Sequence, residues 1–199
     1  MMHAHPYKSA DLADGILSIS LSGSNVFDNA IRVLEFAQAD DSVQVIVLRD
    51  DCLQLERHLL ITATAWQETA TKLAQSLRQM PQPIIAMVHG QAQELMEVIW
   101  NACDIVFASG DWATLSFPES ELEAQTYLLA REIATKDPLA LRFTKKTVRQ
   151  VASVAWNDIL NFTTSQQAEI KSLQTERPSA RALAIENFLA GKSKPGAGA

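Results

Sequence analysis

Cysteine is scarce in this chain: Cys52 and Cys103 are the only two in 199 residues. They lack the spacing of metal ligands and read as two buried thiols, a single disulfide between them being the alternative. Basic charge is in deficit as well. Seventeen Lys and Arg against 23 Asp and Glu leave a net charge of -6, which argues against nucleic acid as a partner and requires local basic residues wherever an anion is to bind. No apolar run approaches the length that spans a bilayer, and no signal peptide precedes the body of the chain. A protein of the cytoplasm, away from membranes, is the expectation. Internal repeats, low-complexity blocks and Gly/Ser linkers are absent too, so residues 1–199 are expected to form one domain, and 47% hydrophobic residues supply ample material for its core.

What is present is a succession of short apolar runs and longer amphipathic ones. After a solvated tail holding His3 and His5, Asp14 and Gly15 signal a turn, and ILSISLS (16–22) partly alternates as a strand does. Residues 22–25 mark a plain loop, with Ser24 or Asn25 to cap the next helix. That helix is predicted over 27–38, with Ile31, Leu34 and Phe36 turned inward beside Ala30 and Ala37. VQVIVLRDD (43–51) is the clearest strand in the chain. Asp50, Asp51, Glu56 and His58 behind it read as a solvated turn rather than a metal cluster, so no metal is expected. A helix follows over 62–80 with Trp66, Leu73 and Leu77 on one face. At that spacing Trp66 reads as core rather than as the lining of a ligand pocket.

The stretch PQPIIAMVHGQAQELMEVIWNACDIVFASGDWATLSFPE (81–119) organises the rest. It reads as a buried strand over 84–88, a turn at His89 and Gly90, a helix opening near Gln93, a second apolar strand over 105–108, and a stop at Pro118 and Glu119. His89 at such a turn invites a general-base reading; its plainer role is to fix the geometry of the loop. In order and in spacing, PQPIIAMVHG, CDIVFAS and FPE resemble the crotonase family, which includes the enoyl-CoA hydratases and isomerases.

The resemblance implies an α/β chain of the crotonase-like (ClpP/crotonase) fold, a spiral of β-β-α turns with C-terminal helices. It further implies an acyl thioester, of CoA or of a carrier protein, as the partner molecule, with CoA entering only as part of a substrate and no separate cofactor. Charge that develops on a thioester oxygen is stabilised by two backbone N–H groups aimed at it. Aligned on Gly90, which would allow close approach of substrate, the donor at the helix N-terminus falls on Leu95. Glu94, Leu95 and Met96 stand where the family has its glycines. The family's hydratases divide acid and base work between two glutamates. One is present here as Glu119; the other position falls on Val98 beside Glu97, which the roughly 100° step of a helix turns elsewhere. Glu119 and Glu97 are the candidate acid and base. The loop after residues 43–51, which in the family supplies the other N–H and borders the adenine pocket, holds no glycine here.

Beyond Glu119 the family continues through a glycine-rich loop and helices that build the acyl pocket. This chain passes through Ser120, Glu121, Leu122 and Glu123 almost directly to AREIATKDPLALRFTKKTVRQ (130–150), which resembles a later segment. The core is expected over about 14–155 and a helical region over 156–194, with helices at 156–169 and 179–189 parted by Arg177 and Pro178, and with flexible ends. ARALAIENFLAGKSKP (180–195) resembles the family's C-terminal helix, where Phe188 and Lys192 are the nearest candidates to meet the CoA of a neighbouring subunit. A Phe in a helix interface and a frayed basic end are the alternative. Family members assemble as trimers or dimers of trimers, so a homo-oligomer, trimer or hexamer, or an assembly with a related subunit is expected. Two functions follow: an enzyme of the hydratase/isomerase family with a degenerate active site, or a catalytically inactive structural or regulatory partner of another enzyme.

Overall fold

The computed structural model describes residues 10–22, 25–50, 63–90, 94–111, 113, 115–151, 159–176 and 189–190. The chain falls into two compact units, residues 1–136 and 137–199.

The first unit is built on a six-stranded sheet whose spatial order is its sequence order: β1 (Ala10–Ala13), β2 (Ile16–Ser20), β3 (Val45–Asp50), β4 (Ile84–Val88), β5 (Ile105–Ala108) and β6 (Leu115–Ser116). β1 runs antiparallel to β2, and every other neighbouring pair is parallel. Helices α1 (Val26–Ala39), α2 (Ala63–Gln79) and α3 (Glu94–Trp100) connect β2 through β5. Crossovers of one hand that always advance to the next strand place their helices on one face of the sheet. Burial follows suit. Leu17, Ile19, Ile46, Leu48, Ile84, Ala86 and Val88 pack with Leu34, Leu73, Leu77, Ile99 and Trp100 of these three helices.

The alternate strand residues, Ile16, Val45, Val47, Ile85, Met87 and Phe107, pack instead with Leu122 and Ala130 of α4 (Glu119–Ala134). Strands covered on both faces read as continuous apolar runs, which is why β3 and β4 carry VIVL and IIAMV. β5 and β6 are parallel, Phe107 opposite Leu115, across a link too short to hold a helix.

The strands predicted at 84–88 and 105–108 are β4 and β5 without change. Two readings are corrected. Phe36 is half exposed while Val33 is buried, because α1 presents Val26, Ala30, Val33, Leu34 and Ala37 to the sheet and Phe36 lies two residues past Leu34, nearly opposite on the helix. Residues 10–13 are an edge strand rather than tail. Asp14 (φ 51°) and Gly15 (φ 78°) both adopt the positive φ of a two-residue hairpin turn, and that turn folds β1 back along β2. Asn25 caps α1 through its backbone and in a left-handed conformation, without a side-chain bond. Trp66 packs edge-on against Phe27 with ring centroids 4.3 Å apart, as a core residue does. His3, His5, Ser24, Cys52, Asp51, Glu56 and His58 lie outside the described residues; Cys103 is half-buried, its Sγ 3.5 Å from the Ile99 carbonyl oxygen.

The second unit contains α5 (Pro138–Val151) and α6 (Ile159–Glu176). Pro138 occupies a helix start that needs no N–H, and Asp137 Oδ1 accepts from the Ala140 N–H at 3.0 Å. Gln166 of α6 is buried and bonds Thr147 and Gln150 of α5, and Lys146 pairs with Glu169 at 3.4 Å. α6 reaches Glu176, past the end expected at Glu169; residues 156–158, Arg177 and Pro178 lie outside the described residues. No helix among the described residues is long and apolar enough to cross a membrane.

Candidate active site

α4 begins at Glu119, directly after Pro118, and runs without interruption over the sheet face opposite α1, α2 and α3. Side chains four residues apart share one side of a helix. Along that stripe Glu119, Glu123 and Tyr127 each reach different strands. Glu119 meets His89 at the end of β4 and Ser109 at the end of β5. Glu123 pairs with Arg49 of β3 at 3.6 Å, and the Tyr127 hydroxyl lies 2.8 Å from that of Ser18 on β2. The helix therefore crosses the sheet strand by strand, its polar stripe matching polar residues on or just beyond the strands it crosses.

The densest of these contacts lies at the carboxyl ends of β4 and β5, the edge where parallel sheets place their ligands. Alternation along β4 puts His89 on the same face as Ile85 and Met87, and along β5 puts Ser109 on the same face as Phe107. Gly90 follows at φ 71°, a conformation that suits glycine, and this turn directs its N–H to Ser109 Oγ at 2.7 Å. Ser109 in turn donates to the Glu119 carboxylate, which also accepts from His89 Nδ1. A continuous chain results: Gly90 N–H to Ser109, Ser109 to Glu119, with His89 on the same carboxylate.

The Ser109 hydrogen bond, then the His89 hydrogen bond, holds the Glu119 carboxyl below its ordinary range, against an opposing effect of burial. Its place in the first turn of α4 favours the same ionised form, since helix N-termini attract negative charge. The Glu119 side chain remains 62% exposed and that of His89 26%. An ionised carboxylate and an imidazole are thus both within reach of solvent and of a ligand.

The residues expected at the site fare differently. Glu119 and Gly90 belong to this chain of bonds, with the Gly90 N–H engaged by Ser109 and open space where its Cβ would be. Leu95 lies in the first turn of α3, where the leading N–H groups have no partner within the helix. Met96, Ile99 and Trp100 form the buried side of α3, so Glu97 and Val98 fall on its exposed side, and Glu97 takes no part in the bonds around Glu119. Phe188 and Lys192 lie outside the described residues. Among the described residues no cluster of His, Cys, Asp and Glu is arranged to hold a metal ion. Sequence reasoning did not find Ser109 or the partner of His89. The alternation of β4 and β5 carried the signal, but it needed the position of α4 to become a contact.

No protein-family model matches the chain, and no curated protein matches it. Solved structures do. An enoyl-CoA hydratase from Bacillus anthracis is 14% identical at a TM-score of 0.70, covering 92% of this chain and 96% of its own. Human enoyl coenzyme A hydratase domain-containing protein 3 is 17% identical at 0.70, covering 93% and 98%. An enoyl-CoA hydratase/isomerase family protein from Silicibacter pomeroyi is 18% identical at 0.67, covering 80% and 96%. The chain has the crotonase fold.

Proposed function

We propose that this crotonase-fold chain is a divergent member of the enoyl-CoA hydratase/isomerase family that binds an acyl thioester, of CoA or of a carrier protein, and moves a proton beside its carbonyl. The observation that carries the reading is the exposed, ionised Glu119 held by Ser109 and His89 at the carboxyl edge of the sheet. Abstracting a proton next to a carbonyl and returning it needs one proton-carrying centre, whereas hydration asks for a second group to manage water. Glu97 takes no part in the bonds around Glu119, so a proton shift fits better than hydration. We assign the Leu95 N–H as a donor to the thioester oxygen, where charge develops. Phe36, Leu115 and Leu128 are exposed apolar side chains that a homo-oligomer, or an assembly with a related subunit, would cover. Cytoplasmic thioester metabolism is the setting.

Calorimetry with CoA and a short enoyl-CoA, with double-bond shift and hydration followed in the same sample, tests the reading. Binding with turnover is expected. Absence of both at millimolar ligand, where an affinity of about 4 kcal/mol still shows, would overturn it. The second reading, an inactive structural or regulatory partner, would then stand. One observation favours it: the Gly90 N–H is engaged by Ser109, and α4 uses Glu119 as one of its ties to the sheet.

A further inference from the structure

The contact between His89 and Glu119 fixes more than a loop. A carboxylate can only accept, so the ring nitrogen facing Glu119, Nδ1, carries the hydrogen. In the neutral imidazole the other nitrogen, Nε2, then holds a lone pair. Among the described residues Nε2 has no hydrogen-bond partner, and the ring is partly open to solvent. A carboxylate that orients an imidazole through Nδ1 and leaves Nε2 to accept a proton is the working arrangement of a general-base dyad.

We propose that His89, through Nε2, is the proton carrier of this site, and that Glu119 is the positioning residue that holds its ring; the proposal rests on the acyl-thioester reading above. Glu119 is poorly suited to carry the proton itself. It already accepts from Ser109 and His89, and its carboxyl is held in the ionised form. Efficient general bases are matched to the working pH, and imidazole is the side chain that changes charge near neutrality. The charged groups along the same seam are Glu119 and Glu123 of α4 and Arg49 of β3, which pairs with Glu123; β5 contributes the neutral Ser109.

The step balances without any other reactant. The proton leaves the carbon beside the thioester carbonyl, the C–H bonding pair moves to form the enolate, and the Nε2 lone pair takes the proton. The charge gained by the ring is offset by Glu119. The same N–H then returns the proton to the far carbon of the conjugated enolate and the carbonyl is restored, so the double bond has moved and His89 is neutral again.

Nitrogen NMR of the labelled protein, with His89→Asn to identify the signals, reads the ring directly. A ring hydrogenated at Nδ1, with the lone pair on Nε2, is expected. In Glu119→Gln the preference for that tautomer should be lost. A ring hydrogenated at Nε2 in the wild type would overturn the proposal whatever the activity. The same His89→Asn variant separates roles in turnover, because its amide keeps a donor near the Nδ1 position while Nε2 is gone. A loss of about a hundredfold or more in kcat, with the fold retained, is expected. Turnover near wild type would return the proton to Glu119 and sink the proposal alone. A wild-type protein that turns over no enoyl thioester would overturn the functional reading and the proton-carrier role together, leaving the tautomer to report only the contact.

Discussion

Ser18 and Tyr127, 109 residues apart in the chain, bring their hydroxyls to within 2.8 Å between β2 and α4. Neither is exposed, so loss of one leaves the other short of a partner. Tyr127→Phe and Ser18→Ala should each cost about 0.5–1.5 kcal/mol in urea unfolding. The double variant should cost little more than either single one. Full additivity would show that the two hydroxyls do not meet.

Glu119 gives stability a dependence on acid. Its folded carboxyl titrates below the ordinary value of 4.5, so its contribution is complete above that pH and is lost as pH falls through the lower folded value. The side chain is well exposed, which limits the contribution to about 1 kcal/mol at most. Wild type should exceed Glu119→Gln in Tm at about pH 5, and the margin should close as pH falls below the ordinary carboxyl value. A margin that keeps widening below that value would contradict the bonds to Ser109 and His89.

Leu34 and Phe36 test the orientation of α1. Leu34 is 1% exposed and Phe36 50%. Leu34→Ala should therefore cost about 2–5 kcal/mol, while Phe36→Ala should stay within about 1 kcal/mol. The reverse order in chemical denaturation would mean that the helix is rotated.

Gly15 closes the β1–β2 hairpin at φ 78°, and a Cβ there would lie 3.3 Å from the Gln44 side chain. Gly15→Ala combines left-handed strain of about 1–2 kcal/mol with that crowding. A similar strain without crowding is expected at Gly90, whose Cβ would meet nothing within 4 Å. Thermal unfolding should place Gly15→Ala below Gly90→Ala.

The sheet was legible because its strands are covered twice. Continuous runs such as IIAMV have no other explanation at that length, and β4 and β5 begin and end where Pro, Gly and Asp mark them. Phe36 misled because apolar character alone does not say which side of a helix a residue occupies; Val33, passed over, was the better match to the spacing. The site was half legible. Glu119 and Gly90 stood in a recognisable pattern, whereas Ser109 and the His89 contact depend on where α4 lies, and the spacing of β4, β5 and α4 does not specify that. Glu97 stands beside a motif residue in the sequence, and on α3 it is exposed and takes no part in the bonds around Glu119.

A sheet laid down in chain order has a consequence for the ribosome. Each new strand from β2 onward needs only the strand made just before it, so pairing advances with synthesis and no edge waits for a distant segment. Loop-closure costs grow only slowly with loop length, so crossovers that join neighbouring strands keep each step modest. α4 emerges last among the described elements of this unit, and it carries ties to β2, β3, β4 and β5 together. The final helix thus acts as a latch: a nascent chain halted before residue 119 would hold a formed sheet with one face bare, and it would gain its site and its cover in the same event.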